Sequence, residues 1–272
     1  MAYRPPCVLS IAGSDSGGGA GIQADLKAFA RAGVHGMTAI TAITVQNTRE
    51  VRDVHPVPPE TIVAQVAAVE DDIGVDAVKI GMLGSAETIA AVDEALDLLR
   101  DIPVVLDPVM VAESGAVLLD DGARAALVEL LLPRATVTTP NLPEARVLAT
   151  PAGSGEDQES LARAIHALGP RIVVVTGGHA DPVEDVFFDG SSLERIPGDR
   201  HPDGAAHGSG CTHSSTLAAR LALGDDPLSA ARAAKRAASD AVRDGLRGVG
   251  EGSGPVDVMG LAAARPAAGR LP

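Results

Sequence analysis

Small, flexible residues and a thiol meet in the segment His207-Gly208-Ser209-Gly210-Cys211-Thr212-His213-Ser214-Ser215, which runs directly into a helical pattern reaching Leu223. A helix that starts here aims unpaired backbone N–H groups at whatever lies above Gly208 and Gly210. Those donors and the helix dipole together favour an anion. Cys211 would stand in the same field, which lowers a thiol pKa and favours the thiolate. An anion cradle and a base or nucleophile thus coincide in Gly208, Ser209, Gly210 and Cys211, a combination suited to phosphoryl transfer. His207 and His213 flank it without metal-ligand partners at a clear spacing, and read as capping or loop hydrogen-bonding residues.

Two carboxylates sit where strands end. Asp107 follows Val104-Val105-Leu106 and precedes Pro108; Glu144 closes Thr139-Pro140-Asn141-Leu142-Pro143-Glu144. Each alone reads equally well as a turn residue or a first-turn helix charge. As a pair they suit Mg²⁺, which is held through one or two carboxylates, water and substrate phosphate. The Gly-dense stretch from Gly13 to Gly21 contains Gly19-Ala20-Gly21-Ile22-Gln23-Ala24, which fits the G-x-G-x-x-A dinucleotide pattern. The next strand, however, ends in Val45-Gln46-Asn47, amides where a ribose wants an acid. The alternatives are a tight turn packing helix on sheet, or a loop bringing backbone and Asp25 to a small ligand. Asp25 is then an acceptor for a ligand amine or hydroxyl, or a favourable charge early in a helix. Gln46 could pair with a flat heterocycle or be a satisfied turn amide; Met82 could pack on the ligand or fill core. Neither G-x-x-x-x-G-K-[ST] nor G-x-S-x-G occurs.

These residues hang on an alternation of strand and helix. Strands are expected at Cys7 to Ala12, Met37 to Val45, Ala77 to Ile80, Val104 to Leu106, Thr136 to Thr138 and Ile172 to Val175, with a hairpin of Glu184 to Phe188 and Leu193 to Ile196 around Asp189-Gly190. Helices are expected at Ala20 to Ala32, Pro58 to Ile73, Ser85 to Leu99, Asp120 to Leu132, Leu142 to Leu148, Glu159 to Leu168, Cys211 to Leu223 and Pro227 to Leu246. The pattern predicts an α/β fold with a doubly wound, mostly parallel sheet flanked by helices. Ligands bind beyond the carboxyl ends of such strands. The clusters at Gly13-Ser14-Asp15, Gln46-Asn47, Lys79 with Gly81, Asp107, Asn141 with Glu144, and Thr176-Gly177-Gly178 should therefore converge on one edge.

With no repeat or change of composition, residues 1–272 read as a single domain with a loose tail. The core material is Ala, Val and Leu, with three Phe, one Tyr and no Trp. The formal charge of -14 argues against nucleic acid or an anionic membrane as partner, since both need a basic surface. Two cysteines make no disulfide framework, and Cys7 lies in an apolar run suited to burial. No membrane span or signal-peptide profile is visible, so a cytoplasmic protein is expected.

The ordered blocks from Ala12-Gly13-Ser14-Asp15 to Asp25, Val45-Gln46-Asn47-Thr48, Lys79-Ile80-Gly81-Met82-Leu83, Asp107-Pro108-Val109-Met110, Thr139 to Glu144, Val175-Thr176-Gly177-Gly178-His179 and His207-Gly208-Ser209-Gly210-Cys211-Thr212 resemble the hydroxymethylpyrimidine/phosphomethylpyrimidine kinases of thiamine biosynthesis over roughly residues 7–247. The resemblance implies a three-layer ribokinase-like fold and two successive ATP-dependent phosphorylations of 4-amino-5-hydroxymethyl-2-methylpyrimidine. It implies pyrimidine contacts from Gly13, Asp25, Gln46 and Met82, and Mg²⁺ handling by Asp107 and Glu144. Asn141, Thr176 and Lys235 fall near the nucleotide. Cys211 stands where sugar-kinase relatives carry an Asp base, and a homodimer is the common assembly. The same scaffold serves pyridoxine and pyridoxal kinases, and a non-catalytic pyrimidine-binding protein is the reading from another class. Three departures mark this chain: Ser209 where Thr is usual, a longer approach at Arg200 to Ala206, and His213 where an apolar residue is usual.

Overall fold

Six apolar or small residues, Cys7–Ala12, form β1, and all six are buried. A strand with no polar face must be covered on both sides, which parallel sheets achieve with flanking helices. β1 lies between β2 (His35–Ile40) and β5 (Ala77–Ile80), parallel to both. The sheet continues through β6 (Val104–Leu106), β7 (Val137–Thr138) and β8 (Ile172–Val175). It ends in antiparallel β9 (Glu184–Phe188) and β10 (Leu193–Pro197), the expected hairpin. The eight-stranded order is β10-β9-β8-β7-β6-β5-β1-β2. This computed structural model describes residues 3–111, 115, 118–150, 155–178 and 180–263; the expected His179 and the end of the tail lie outside them.

Helices cover both faces. α2 (Pro59–Asp72), α3 (Ala86–Leu96), α4 (Asp121–Ala126), α5 (Leu142–Ala149) and α6 (Gln158–His166) alternate with the strands, and α1 (Gly21–Ala32), α7 (Ser209–Ala222) and α8 (Pro227–Arg243) complete the set. Isoleucine, leucine and valine from α2, α3 and α6 fill one core with the strands, while the Ala-rich faces of α7 and α8 fill the other. Four helices carry the side-chain caps their first turns require: Ser85, Asp120, Asp157 and Asp226 each accept a first-turn N–H. α5 has a full capping box between Asn141 and Glu144. α7 has no side-chain cap.

Three expected elements differ. The run Met37 to Val45 is two strands: the chain breaks at Thr41, whose hydroxyl donates to the Met82 carbonyl at 2.8 Å. β2 stays in the main sheet, and β3 (Ala42–Gln46) leaves to pair antiparallel with β4 (Val51–Pro56). The helix expected to Leu132 widens after α4 into a π-helical segment, Leu127–Leu131, then tightens to 3₁₀ at Leu132–Arg134, around Pro133. α8 stops at Arg243, because the chain turns so that the Leu246 N–H meets the Pro255 carbonyl at 2.8 Å.

Candidate active site

The polar strand ends converge. Gly13, Gln46, Lys79, Met82, Asp107, Asn141, Glu144, Thr176 and Lys235 line one cavity of about 720 Å³, with Gly208 to Cys211 on its wall. The volume suits small-molecule substrates. Strand order divides it. Gly13 and Met82 follow β1 and β5, with Gln46 ending β3 beside them. Asn141 and Thr176 follow β7 and β8 and form a bridge with each other. Asp107 follows β6, between the two halves. The approach loop at Arg200 to Ala206 closes the second half, pinned where the His201 ring contacts Ser239 Oγ at 2.8 Å and Arg200 donates to the Ala180 carbonyl at 2.6 Å.

The cradle forms because only glycine fits. Gly208 has φ of 87°, and a Cβ there would lie 1.8 Å from the Gly19 carbonyl oxygen. The N-terminal Gly-rich loop thus rests directly on the start of α7. The Ser209 N–H is spent on the Ala206 carbonyl at 3.0 Å, so the expectation that it joins the cradle is corrected. Gly210 and Cys211, at the second and third helical positions, have no preceding helical carbonyl to bond. Their N–H groups have no backbone acceptor, and both residues line the cavity.

Asp15 joins the two loops. Its carboxylate, 1 % exposed, accepts N–H groups of Gly17, Gly19 and Ala20 at 2.8–2.9 Å and meets His207 Nε2 at 3.0 Å. Burial works against ionisation, but these bonds outweigh it and hold Asp15 below the usual carboxylate range. His207 is in turn held by the tail, with its N–H on the Gly254 carbonyl and its carbonyl accepting from Val256.

Asp25 does not reach the cavity, so the expected ligand contact is corrected. It is fully buried on the inner face of α1 and saturated by Ser10 Oγ (2.6 Å), Ser215 Oγ (2.7 Å) and Lys79 Nζ (2.9 and 3.0 Å). Lys79 is its buried partner and does line the cavity. Burial pushes Lys79 toward the neutral amine; the Asp25 carboxylate more than reverses that and keeps it an ammonium.

Cys211 is also corrected. Burial pushes its thiol up to about 12, against the pull of Lys79 and a hydrogen bond from the Gly21 N–H. In the ligand-free protein it is a thiol, since desolvation of the anion outweighs the cationic surroundings.

Asp107 and Glu144 both hold their protons more tightly than an ordinary carboxyl. Burial raises Asp107 most, and Ser214 Oγ bonds its Oδ2 at 2.9 Å. Burial and the Asp107 charge push Glu144 up to about 8. Both carboxylates line the cavity, and such a pair could hold a hard divalent cation completed by water and phosphate. Among the described residues no third His, Cys, Asp or Glu joins them in a cluster. A stability effect follows. The unfolded chain loses the Glu144 proton near 4.5 while the folded chain keeps it to about 8. The contribution is therefore complete below about pH 4.5 and lost as pH rises through about 8, on the order of a few kcal/mol. The melting temperature of metal-free protein is expected to fall between about pH 6 and 8.5. Glu144→Gln should remove most of that fall, and Mg²⁺ should stabilise the parent more at the higher pH. An unchanged slope in the variant would refute the assignment.

Sequence reasoning did not find Asp185 as a cavity residue. It sits on β9, fully buried, accepting from the Gly177 N–H at 3.0 Å and Lys235 Nζ at 2.5 Å. Its sequence context, Glu184-Asp185-Val186, reads as an ordinary hairpin strand. Only the fold brings Lys235 of α8 to it.

Residues 15–257 match the family described as phosphomethylpyrimidine kinase. The chain is 50 % identical to a hydroxymethylpyrimidine/phosphomethylpyrimidine kinase of Rhizobium meliloti, over 91 % of this chain and 95 % of that one. It is 47 % identical to the thiamine biosynthesis bifunctional protein ThiED of Geobacter sulfurreducens, covering 92 % of this chain but only 51 % of that longer protein. In structure it is similar to the pyridoxal kinase of Staphylococcus aureus in complex with AMP-PCP and pyridoxal, with a TM-score of 0.84, 35 % identity and 94 % of each chain covered. Cavity, cradle and sequence agree: this chain belongs to the phosphomethylpyrimidine kinase family.

Proposed function

We propose that the protein transfers the γ-phosphoryl group of ATP to the hydroxymethyl group of 4-amino-5-hydroxymethyl-2-methylpyrimidine, and a second phosphoryl group to that monophosphate, as a step of thiamine biosynthesis. The observation that carries this reading is the cavity shared by the polar strand ends, with an uncapped helix start on its wall. The pyrimidine lies on the side of Gly13, Gln46 and Met82, where the Gln46 amide offers donor and acceptor to a flat amino-heterocycle. The nucleotide lies along Asn141, Thr176 and Lys235. N–H groups of Gly210 and Cys211 face the charge spread over the transferring group. Mg²⁺ held by Asp107 and Glu144 would neutralise phosphate charge there.

Cys211 stands beside the acceptor hydroxyl and orients it. Phosphoryl transfer passes through a loose transition state in which the nucleophile's proton leaves late, so a strong base is not required. A neutral thiol next to the helix start suffices to accept the hydroxyl's hydrogen bond.

The test is a phosphorus-resolved time course with ATP, Mg²⁺ and the pyrimidine alcohol: the monophosphate should appear and then the diphosphate. Pyridoxal is assayed beside it, because the Staphylococcus aureus neighbour binds that vitamer on the same fold. Preference for pyridoxal would replace the first reading, and pyrimidine binding without ATP consumption would replace both with a binding protein. The reading places the protein in the cytoplasm; among the described residues no helix is long and apolar enough to cross a membrane. It also makes the protein a homodimer, supported by the β3–β4 ribbon standing off the main sheet with Ile43 and Val45 about half exposed at 52 % and 53 %. Sedimentation of the assayed preparation tests that assembly.

A further inference from the structure

One turn beyond the cradle, α7 carries His213, on the same side of the helix as Ser209. Its side chain is 5 % exposed, and its Nε2 lies 3.2 Å from Asp185 Oδ2. The pair is out of line for a hydrogen bond: neither ring nitrogen nor that carboxylate oxygen has a partner. Buried polar atoms left this way cost stability, and each calls for a reason. The other oxygen of Asp185 is fully engaged with Lys235 Nζ and the Gly177 N–H. The Lys235 stem packs against Gly198, where a Cβ would lie 2.4 Å from Lys235 Cε. Asp185, His213, Lys235 and Gly177 all line the half of the cavity assigned above to the nucleotide.

We infer that His213 is a positioning residue for the nucleotide, a reserve partner that takes up Asp185 when Lys235 turns toward the polyphosphate. The inference rests on the kinase reading. In the free protein the ammonium of Lys235 neutralises Asp185. A polyphosphate arriving beside it competes for that ammonium, and every ångström Lys235 moves would strand a fully buried carboxylate. A small rotation of the imidazole aligns Nε2–H with Oδ2 and compensates the loss. An apolar residue at position 213 offers no such partner, so Lys235 stays on Asp185 and the phosphates face an under-compensated negative charge.

The experiment measures the dissociation constant of the protein for Mg²⁺ with a non-hydrolysable ATP analogue, together with steady-state turnover. His213→Leu is expected to weaken nucleotide binding about five- to tenfold, the size of one ordinary net hydrogen bond. The KM for the pyrimidine and kcat should stay within about twofold, since no group at the acceptor half is touched. His213→Gln, which keeps a donor of similar reach, should restore affinity; His213→Asn, too short to reach Oδ2, should not. In an Asp185→Asn background the Leu substitution should have little further effect, because no carboxylate is left to strand. If the Leu variant does not fold, the Gln and Asn pair gives the same comparison. Equal affinities for the parent, Gln and Asn variants would overturn the inference, as would a Leu effect that persists undiminished in the Asp185→Asn background. Should the parent bind no Mg²⁺-nucleotide at all, the kinase reading falls with it; should the parent phosphorylate its substrate while the position 213 variants match it, only the inference falls.

Discussion

Cys211→Ala is expected to lower kcat about a hundredfold, while Cys211→Ser stays within about tenfold of the parent. The thiol sits at the third position of α7 and lines the cavity. Burial keeps it protonated to about 12. A group in that state orients the attacking hydroxyl, and a serine hydroxyl can do the same, whereas an alanine cannot. A thiolate base would erase that difference, with serine nearly as damaging as alanine, because an alkoxide is far harder to form than a thiolate. Steady-state kinetics on the two variants separates the roles. Pyrimidine affinity should remain measurable in both. Near-normal turnover by the alanine variant would remove Cys211 from the mechanism altogether.

Lys79→Met is expected to destabilise the protein by about 3–5 kcal/mol, measured by denaturant unfolding. Lys79 and Asp25 are both fully buried and joined at 2.9 Å. Removing one leaves the other's charge without compensation in a low-dielectric interior. Asp25 would retain the hydroxyls of Ser10 and Ser215, which lessen but do not replace an ammonium. The double variant Lys79→Met, Asp25→Asn should lose clearly less than the sum of the single losses, since the second change removes the charge stranded by the first. Additive losses, or a loss below about 1 kcal/mol for Lys79→Met, would show that the pair is not the electrostatic unit drawn here.

Asp25 and Lys79 also show what the sequence could have disclosed. Asp25 falls on the stripe Ile22, Asp25, Phe29 of α1, the face that packs inward. Lys79 interrupts Ala77-Val78-Lys79-Ile80, a strand with every residue buried. A charge on a helix's apolar stripe and an opposite charge in a doubly covered strand predict each other, and that pairing was legible before any ligand was invoked. The strand–helix alternation and the convergence of strand ends were legible for a similar reason, since periodicity and Gly-Pro punctuation are local. Asp107 and Glu144 could be read because each follows a short strand within a few residues. The split of Met37 to Val45 was not legible: the β-branched run has no breaker, and the break at Thr41 depends on the distant Met82 carbonyl. The thiol state of Cys211 was missed because a helix start argues for the anion while the depth of burial, a property of the whole fold, argues more strongly against it.

The lock between Asp15 and His207 joins residues 192 positions apart, and the tail adds a bond from Gly252 to Thr48 across 204 positions. Because a chain is made from its amino end, the Gly-rich loop around Asp15 is made well before the residue that clamps it. It gains its second wall only when α7 appears, and His207 is clamped only when residues 254–256 follow. The wall of the cavity is therefore incomplete until residues 207–256 have been made. A ribosome-stalled product ending before residue 207 would carry the Gly-rich loop without the start of α7 that rests on it, so the cavity is walled only once that helix has been made.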